Sequence, residues 1–405
     1  MRAADVTNVR AAGARRLRSW RWSAPAVAMT AWGGNHFSPL LLMYRRVEGY
    51  SSVQVDLFFA FYVLGLIPGF LVAGPFSDEH GRKRLVTVAL LLGILGSVVL
   101  AFGGSSAVLL CLGRFVSGLS VAVAMVVGTS WIKELSTDAE PATRARRASL
   151  TLTAGFGLGA GVSGALAQWG PAPTLLPYAV HIALSLVALA LLVPAGETRV
   201  PVDGQSRRLL ADLRIPDRGR HRFFGVVLPM APWVFGAPAL AFVVGPALIS
   251  RELGADQVGF ATLAAVVALA SGAAVQPLVP AIGRLTGGRQ AVVGLVVLAI
   301  GCVLLTVVAR LGSAPLAAVA AGLLGIAYGI CIVAGLVEVQ AMADPHSLAG
   351  LTGIYYSLTY LGFALPVVLA ALSHLVGYPY LLAGLTLVCL LCAVVVARNL
   401  RVDRP

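Results

Sequence analysis

The segment GPFSDEHGRKR, residues 74–84, decides how this chain is read. Seven of its eleven residues are Ser, Asp, Glu, His, Arg or Lys. It nonetheless separates FFAFYVLGLIPGFLVA from LVTVALLLGILGSVVLAF, two of the most apolar runs in the sequence. At 1.5 Å per residue each run is close to the length that crosses a bilayer, so the charged island reads as a loop at a membrane surface.

The rest of the composition agrees. Hydrophobic residues make up 58% of the 405 and charged residues 12%, with a mean hydropathy of +0.88. A soluble domain is about 25% charged, and no water-facing surface can be built from what this chain has left. The apolar runs are continuous and not alternating, which argues against a transmembrane barrel. The expected fold class is therefore all-α integral membrane, with room for roughly a dozen helices. Apolar segments fall at 23–43, 54–76, 85–104, 107–132, 149–168, 175–194, 223–248, 257–281, 290–309, 314–338, 348–372 and 377–397, which predicts 12 transmembrane helices. Six arginines precede residue 22, as in a signal peptide, but the first apolar stretch runs on past His36 and reads as an uncleaved span.

Alternate loops carry very unequal charge. The side holding both termini has 25 of the Lys and Arg residues, the other side has four (Arg45, Arg46, Arg251, Arg310), and Arg114 lies within a span. Positive charge marks the cytoplasmic side, so both termini are expected there, in a cell membrane. The same distribution accounts for the net charge of +13: the basic residues face anionic lipid, and nucleic acid is not an expected partner. The five cysteines all lie in predicted spans. Cys389 and Cys392 have CxxC spacing but read as small packing residues, so no disulfide framework, metal site or cofactor is expected.

The expected organisation is a cytoplasmic segment 1–22, a six-helix half 23–195, a cytoplasmic central loop 196–222, a second six-helix half 223–397 and a tail 398–405. RRLLADLR in the central loop reads as an amphipathic interfacial helix. The halves echo one another. Aligning Pro75 with Pro277 puts Gly81 on Gly283 and Arg82 on Arg284, with Pro280 in place of Asp78; Gly118 and Gly128 match Gly325 and Gly335. Two six-helix pseudo-repeats suit a transporter with its substrate held between them.

Gly74, Asp78, Gly81, Arg82 and Lys83 lie in an order that resembles the signature loop of the major facilitator superfamily, G-x-x-x-D-x-x-G-R-[RK], at the place that family has it. The likeness extends over the whole chain: spans, central loop and worn second copy. It implies that Asp78 latches the halves together on the inside, toward the N-terminus of the eleventh span near Ser347, where a carboxylate is favoured. Gly74 is expected to allow close packing, Gly81 a tight reversal, and Arg82 and Lys83 to pair with Asp78 or lipid phosphate.

Arg114 lies about seven residues, roughly 10 Å, into the fourth span, and an intramembrane arginine is a functional candidate unless it snorkels outward. Arg114-x-x-x-Gly118 resembles the family's helix-four motif, linked in proton-coupled members to proton transfer. Gly155, Gly159 and Gly164 resemble the helix-five motif of drug–proton antiporters, although Ala160 stands where that motif has proline and Ser163 replaces a glycine. Other coupling candidates are His36, which when unperturbed titrates near neutral pH, Glu134 and Glu338 near cytoplasmic helix ends, and Asp56, placed to pair with Arg114. Candidates for the substrate cavity are Asn35, His36, Trp233, Tyr328, Tyr355, Tyr356 and Tyr360; aromatic faces suit flat or cationic molecules, and Arg114 suits an anion.

The expected function is secondary active transport, with proton-coupled export of a small amphipathic compound first and uptake of a metabolite or organic anion second. A monomer is expected to suffice. An enzyme or sensor has little support: the six histidines are scattered without HExxH spacing, and there is no Gly-Lys-Ser phosphate loop.

Overall fold

A computed structural model describes residues 19–199, 215, 219–342 and 348–402. The described chain is helical throughout, and ten of its helices are long and apolar enough to cross a membrane. The protein is a multi-pass membrane protein.

The first apolar segment is interrupted. Helix α1 (Ala24–Asn35) ends at His36, a tight turn follows over Ser38–Leu40, and helix resumes at Leu41–Val47. Pro39 lies in that turn and supplies no N–H to an α-helical ladder. The break leaves Asn35 and His36 at a helix end inside the protein. Helix α2 (Ser52–His80) starts on a reciprocal cap between Ser51 and Gln54, with bonds of 3.3 and 2.9 Å. It ends at Gly81, whose φ of +91° only glycine adopts without strain. The reversal is tight, and α3 (Arg82–Phe102) begins at the next residue.

Then follow α4 (Ala107–Leu135), α5 (Pro141–Trp169) and α6 (Leu176–Leu192). With 17 residues, about 25 Å at 1.5 Å each, α6 falls short of a full span. After the central segment come α7 (Arg220–Leu248), α8 (Gln257–Val275), α9 (Gln290–Leu311), α10 (Ala314–Met342), α11 (Leu348–Tyr360, resuming at Leu365–Leu372) and α12 (Tyr378–Val402). RRLLADLR and Ser347 lie outside the described residues.

Glycines set the closest helix pairs. A Cβ on Gly118 of α4 would fall on the carbonyl of Tyr62 in α2, and one on Gly325 of α10 would fall on the carbonyl of Ala268 in α8. Backbones therefore touch in both pairs, as small residues in membrane helices allow. Gly74 plays no such part, since the nearest atom to its Cβ position is a Val126 methyl at 3.8 Å. Gly283 differs from the sequence alignment too. It lies inside a helix, Val279–Leu285, and the chain turns later, at Gly287 and Gly288 (φ +61° and +81°).

The segments before and after the central loop meet chiefly through α2 against α11 and α5 against α8. Gly155 and Gly159 of α5 lie against the α1 backbone, while Gly164 abuts Thr262 of α8.

Candidate transport site

Helices α1, α2, α5, α7, α8, α10 and α11 enclose a central cavity. Eight of its twelve lining residues are aromatic: Phe59, Tyr62, Phe156, Phe235, Phe242, Tyr328, Tyr360 and Phe363; the others are Gly34, Asn35, Pro238 and Leu269. Its water-accessible space is about 30 Å³, room for a water or two, so the rings are closed on one another. Phe235 stacks on Tyr360 at 3.9 Å, Phe59 meets Phe363 edge-on at 4.7 Å, and Phe70 stacks on Tyr356 at 5.5 Å between α2 and α11. The Tyr360 hydroxyl donates to Met125 Sδ at 3.0 Å.

Among the expected cavity residues, Asn35, Tyr328 and Tyr360 line it. Asn35 is fixed by two bonds: its Nδ2 donates to Phe156 O (3.1 Å) and its Oδ1 accepts from Ser38 Oγ (2.7 Å). Trp233 is buried elsewhere in α7, Tyr355 points its hydroxyl at the Ile332 carbonyl of α10 (3.3 Å), and Tyr356 lies against Phe70.

His36 is not a lining residue either. It is fully buried, its ring edge-on to Tyr178 and His181 at 5.1 Å each. His181 is held by Ser97 Oγ (2.7 Å) and the Met29 carbonyl (2.9 Å), and Tyr178 shares a 2.8 Å hydroxyl bond with Tyr44. Among the described residues His36 itself has no hydrogen-bond partner on either ring nitrogen.

Arg114 is 0% exposed, so it does not snorkel. Its guanidinium lies over the rings of Tyr62 (4.3 Å), Phe37 (4.8 Å) and Phe59 (5.8 Å), and its Nη1 donates to Gly34 O at 3.3 Å. Asp56 does not pair with it. The carboxylate, 9% exposed, lines a second cleft together with Arg45, Tyr378 and Phe242.

At the turn between α2 and α3 the signature segment is tied to its surroundings residue by residue. Arg82 reaches Asp78 and Glu134, both at 3.2 Å, and Ser77 Oγ at 2.7 Å. Asp78 also meets Arg199 at 3.4 Å. Lys83 Nζ donates to Val193 O at 2.7 Å, not to Asp78. The N-terminus of α3 has no side-chain cap of its own; Glu197 supplies one, accepting from Arg82 N (3.0 Å) and Lys83 N (2.9 Å). Thr198 donates to Glu134. Glu338 pairs with Arg222 at 2.5 Å. Glu197, Thr198 and Arg199 thus knit the start of the central loop onto the signature segment. Sequence reading passes over them, and the one cue is an acid followed by a base just beyond the sixth apolar segment.

Comparison with known proteins agrees with this geometry. Residues 23–365 match the Major Facilitator Superfamily. Curated relatives match in part only. They include the 4-hydroxybenzoate transporter PcaK of Pseudomonas aeruginosa (30% identical, 42% of this chain, 35% of that one) and the quinolone resistance protein NorA of Staphylococcus aureus (26%, 32% and 33%). A glucose transporter, HT1, of Trypanosoma vivax matches at 33% over 22% of this chain and 16% of its own. The matches therefore span well under two thirds of each relative. Among solved structures, nucleoside transporter NupG superposes with a TM-score of 0.70 over 95% of this chain and 99% of that one, at 12% identity. The human organic anion transporter MFSD10 gives 0.66 over 94% and 99%, at 18%. The chain belongs to the Major Facilitator Superfamily and is a transporter, not an enzyme.

Proposed function

We propose that this protein is a secondary transporter of small, flat, amphipathic molecules, working by alternating access between two six-helix halves within a twelve-span architecture. The observation that carries this reading is the aromatic cavity, lined by helices on both sides of the central loop. Stacked rings offer large apolar faces at little conformational cost and tolerate varied flat substrates. A cavity with room for a water or two corresponds to a closed intermediate, from which the halves rock apart to admit substrate. Asp78, Arg82 and Glu134 form the inner gate in this reading. The latch from Asp78 toward the start of α11 involves residues outside those described.

The proposed setting is the cell membrane, with both termini cytoplasmic as the 25-to-4 bias of basic residues favours, and the working unit is a monomer. Protons are the proposed coupling ion and export the proposed direction, in line with the likeness to NorA. Inward transport is the second reading, favoured by the likeness to PcaK and to the gallate transporter of Pseudomonas putida, 33% identical over 32% of this chain. The test is flux into and out of proteoliposomes under an imposed proton gradient of either sign, with flat aromatic solutes. Accumulation that follows the gradient and collapses with a protonophore supports the reading. Flux indifferent to the gradient refutes the coupling, and the sign of accumulation decides the direction.

A further inference from the structure

We infer that Arg114 is the anion-recognising group of the transport site and that the substrate carries a carboxylate on its aromatic or apolar body. This rests on the central cavity being the transport site.

A guanidinium presents five N–H donors in a planar fork. Among the described residues Arg114 has one protein acceptor, Gly34 O, while its Nε and Nη2 are buried without a partner there. No carboxylate pairs with it among the described residues; Asp56, the acid that sequence placed opposite it, lines the second cleft instead. An arginine sealed in the membrane interior without a counter-ion is costly, and ring faces offset only part of that cost. A carboxylate taking the free edge of the fork supplies the missing bonds in the geometry that guanidinium favours.

The wall between Arg114 and the cavity is thin. Gly34, Tyr62 and Phe59 touch the guanidinium and also line the cavity. At Gly34 the wall is bare backbone: a Cβ there would come within 2.7 Å of Val121 and 2.9 Å of the Tyr62 hydroxyl. Reorientation of Tyr62, whose ring lies against the guanidinium and against the cavity rings of Tyr360 and Phe363, joins the cavity to the charge. The substrate ring then sits among Phe59, Phe235 and Tyr360, with its carboxylate turned toward α4.

The test compares benzoate, benzamide and benzylamine, which share a ring and differ in charge, by equilibrium binding to the full-length protein in nanodiscs. Benzoate is expected to bind at least about tenfold more tightly than benzamide. Arg114→Gln should bring benzoate to the benzamide level while moving benzamide itself less than about threefold, within the scatter of a neutral contact change. Arg114→Lys, which keeps the charge but not the fork, should fall between the two. A purely structural arginine would move benzamide and benzoate together. Benzamide or benzylamine bound as tightly as benzoate by the unmodified protein overturns the inference and leaves the aromatic site standing. Binding of none of the three overturns the site and the inference together. Should Arg114→Gln fail to fold, the unmodified protein and Arg114→Lys still decide the matter.

Discussion

Replacing Glu197 should loosen the signature loop from a distance of 115 residues in sequence. Its carboxylate accepts from Arg82 N at 3.0 Å and Lys83 N at 2.9 Å, two donors in the first turn of α3 that have no acceptor within the helix. Loss of a side-chain cap costs roughly 0.5–2 kcal/mol, and loss of a negative charge at a helix N-terminus roughly 0.3–1 kcal/mol. Glu197 is solvent-exposed, so the low ends apply, giving about 1 kcal/mol for Glu197→Ala. That is a factor of about 5 in the local opening equilibrium. Hydrogen–deuterium exchange at the Arg82 and Lys83 amides reads it directly, and both should exchange faster by that factor. Glu197→Gln keeps an acceptor and loses the charge, so its effect should be roughly half as large in free energy. Unchanged exchange in the alanine variant, or a glutamine variant as impaired as the alanine one, would refute the capping account.

Gly118→Ala should destabilise the protein by about 1–3 kcal/mol, because the added carbon meets the Tyr62 carbonyl and Leu66 N, backbone atoms that cannot turn aside. Gly74→Ala, facing a methyl at 3.8 Å, should stay within about 0.5 kcal/mol in the same unfolding titration, and equal losses at the two sites would contradict the contact reading. Gly34→Ala should thicken the wall before Arg114 and cut benzoate binding more than benzamide binding; equal losses would mean that the cavity as a whole has collapsed. Asp138, in the loop between α4 and α5, is hydrogen-bonded to Arg147 at 2.7 and 3.1 Å, which holds its carboxyl below the usual range. Its folded-state value lies below the unfolded one, so its contribution is present above about pH 4 and disappears as the pH falls through the folded value. The stability gap between the unmodified protein and Asp138→Asn should therefore close in acid, and a gap that widens there would reverse the assignment.

The features legible in sequence were those that violate their surroundings. A basic hairpin between apolar runs marks itself as a loop, and Gly81 marks its turn because no other residue adopts φ of +91° cheaply. Arg114 stands out because a cation in a span needs a reason. The aromatic cavity does not stand out: Phe59 faces it at 1% exposure and Phe102 faces outward at 78%, yet both are a phenylalanine in an apolar run. A membrane removes the polar–apolar contrast that gives a helix its face in water. Trp233, Tyr355 and Tyr356 were for the same reason indistinguishable from Tyr328 and Tyr360. The interruption of α1 was written in Pro39, but its consequence for His36 depends on Tyr178 and His181, which arrive from α6 more than a hundred residues later. Glu197 and Arg199 were hidden because their partners are set by the packing of α3 and α6, and not by spacing.

Three π-helical turns break the ladder of two helices, one carrying Arg114 and the other lining the cavity: Ala124–Gly128 in α4, and Phe223–Val227 and Leu240–Val244 in α7. Each takes up one residue more than an α-turn, which advances everything beyond it by about 100° around the axis. The first brings Met125 to the Tyr360 hydroxyl, and the last carries Phe242 to the cavity wall. Such a helix has no single inward stripe. Its two ends are phased independently, so one inserted or deleted residue re-aims half a helix while leaving its composition untouched. Relatives that differ in the length of these turns would then present different side chains to the same space, changing what fits there without a single substitution in it.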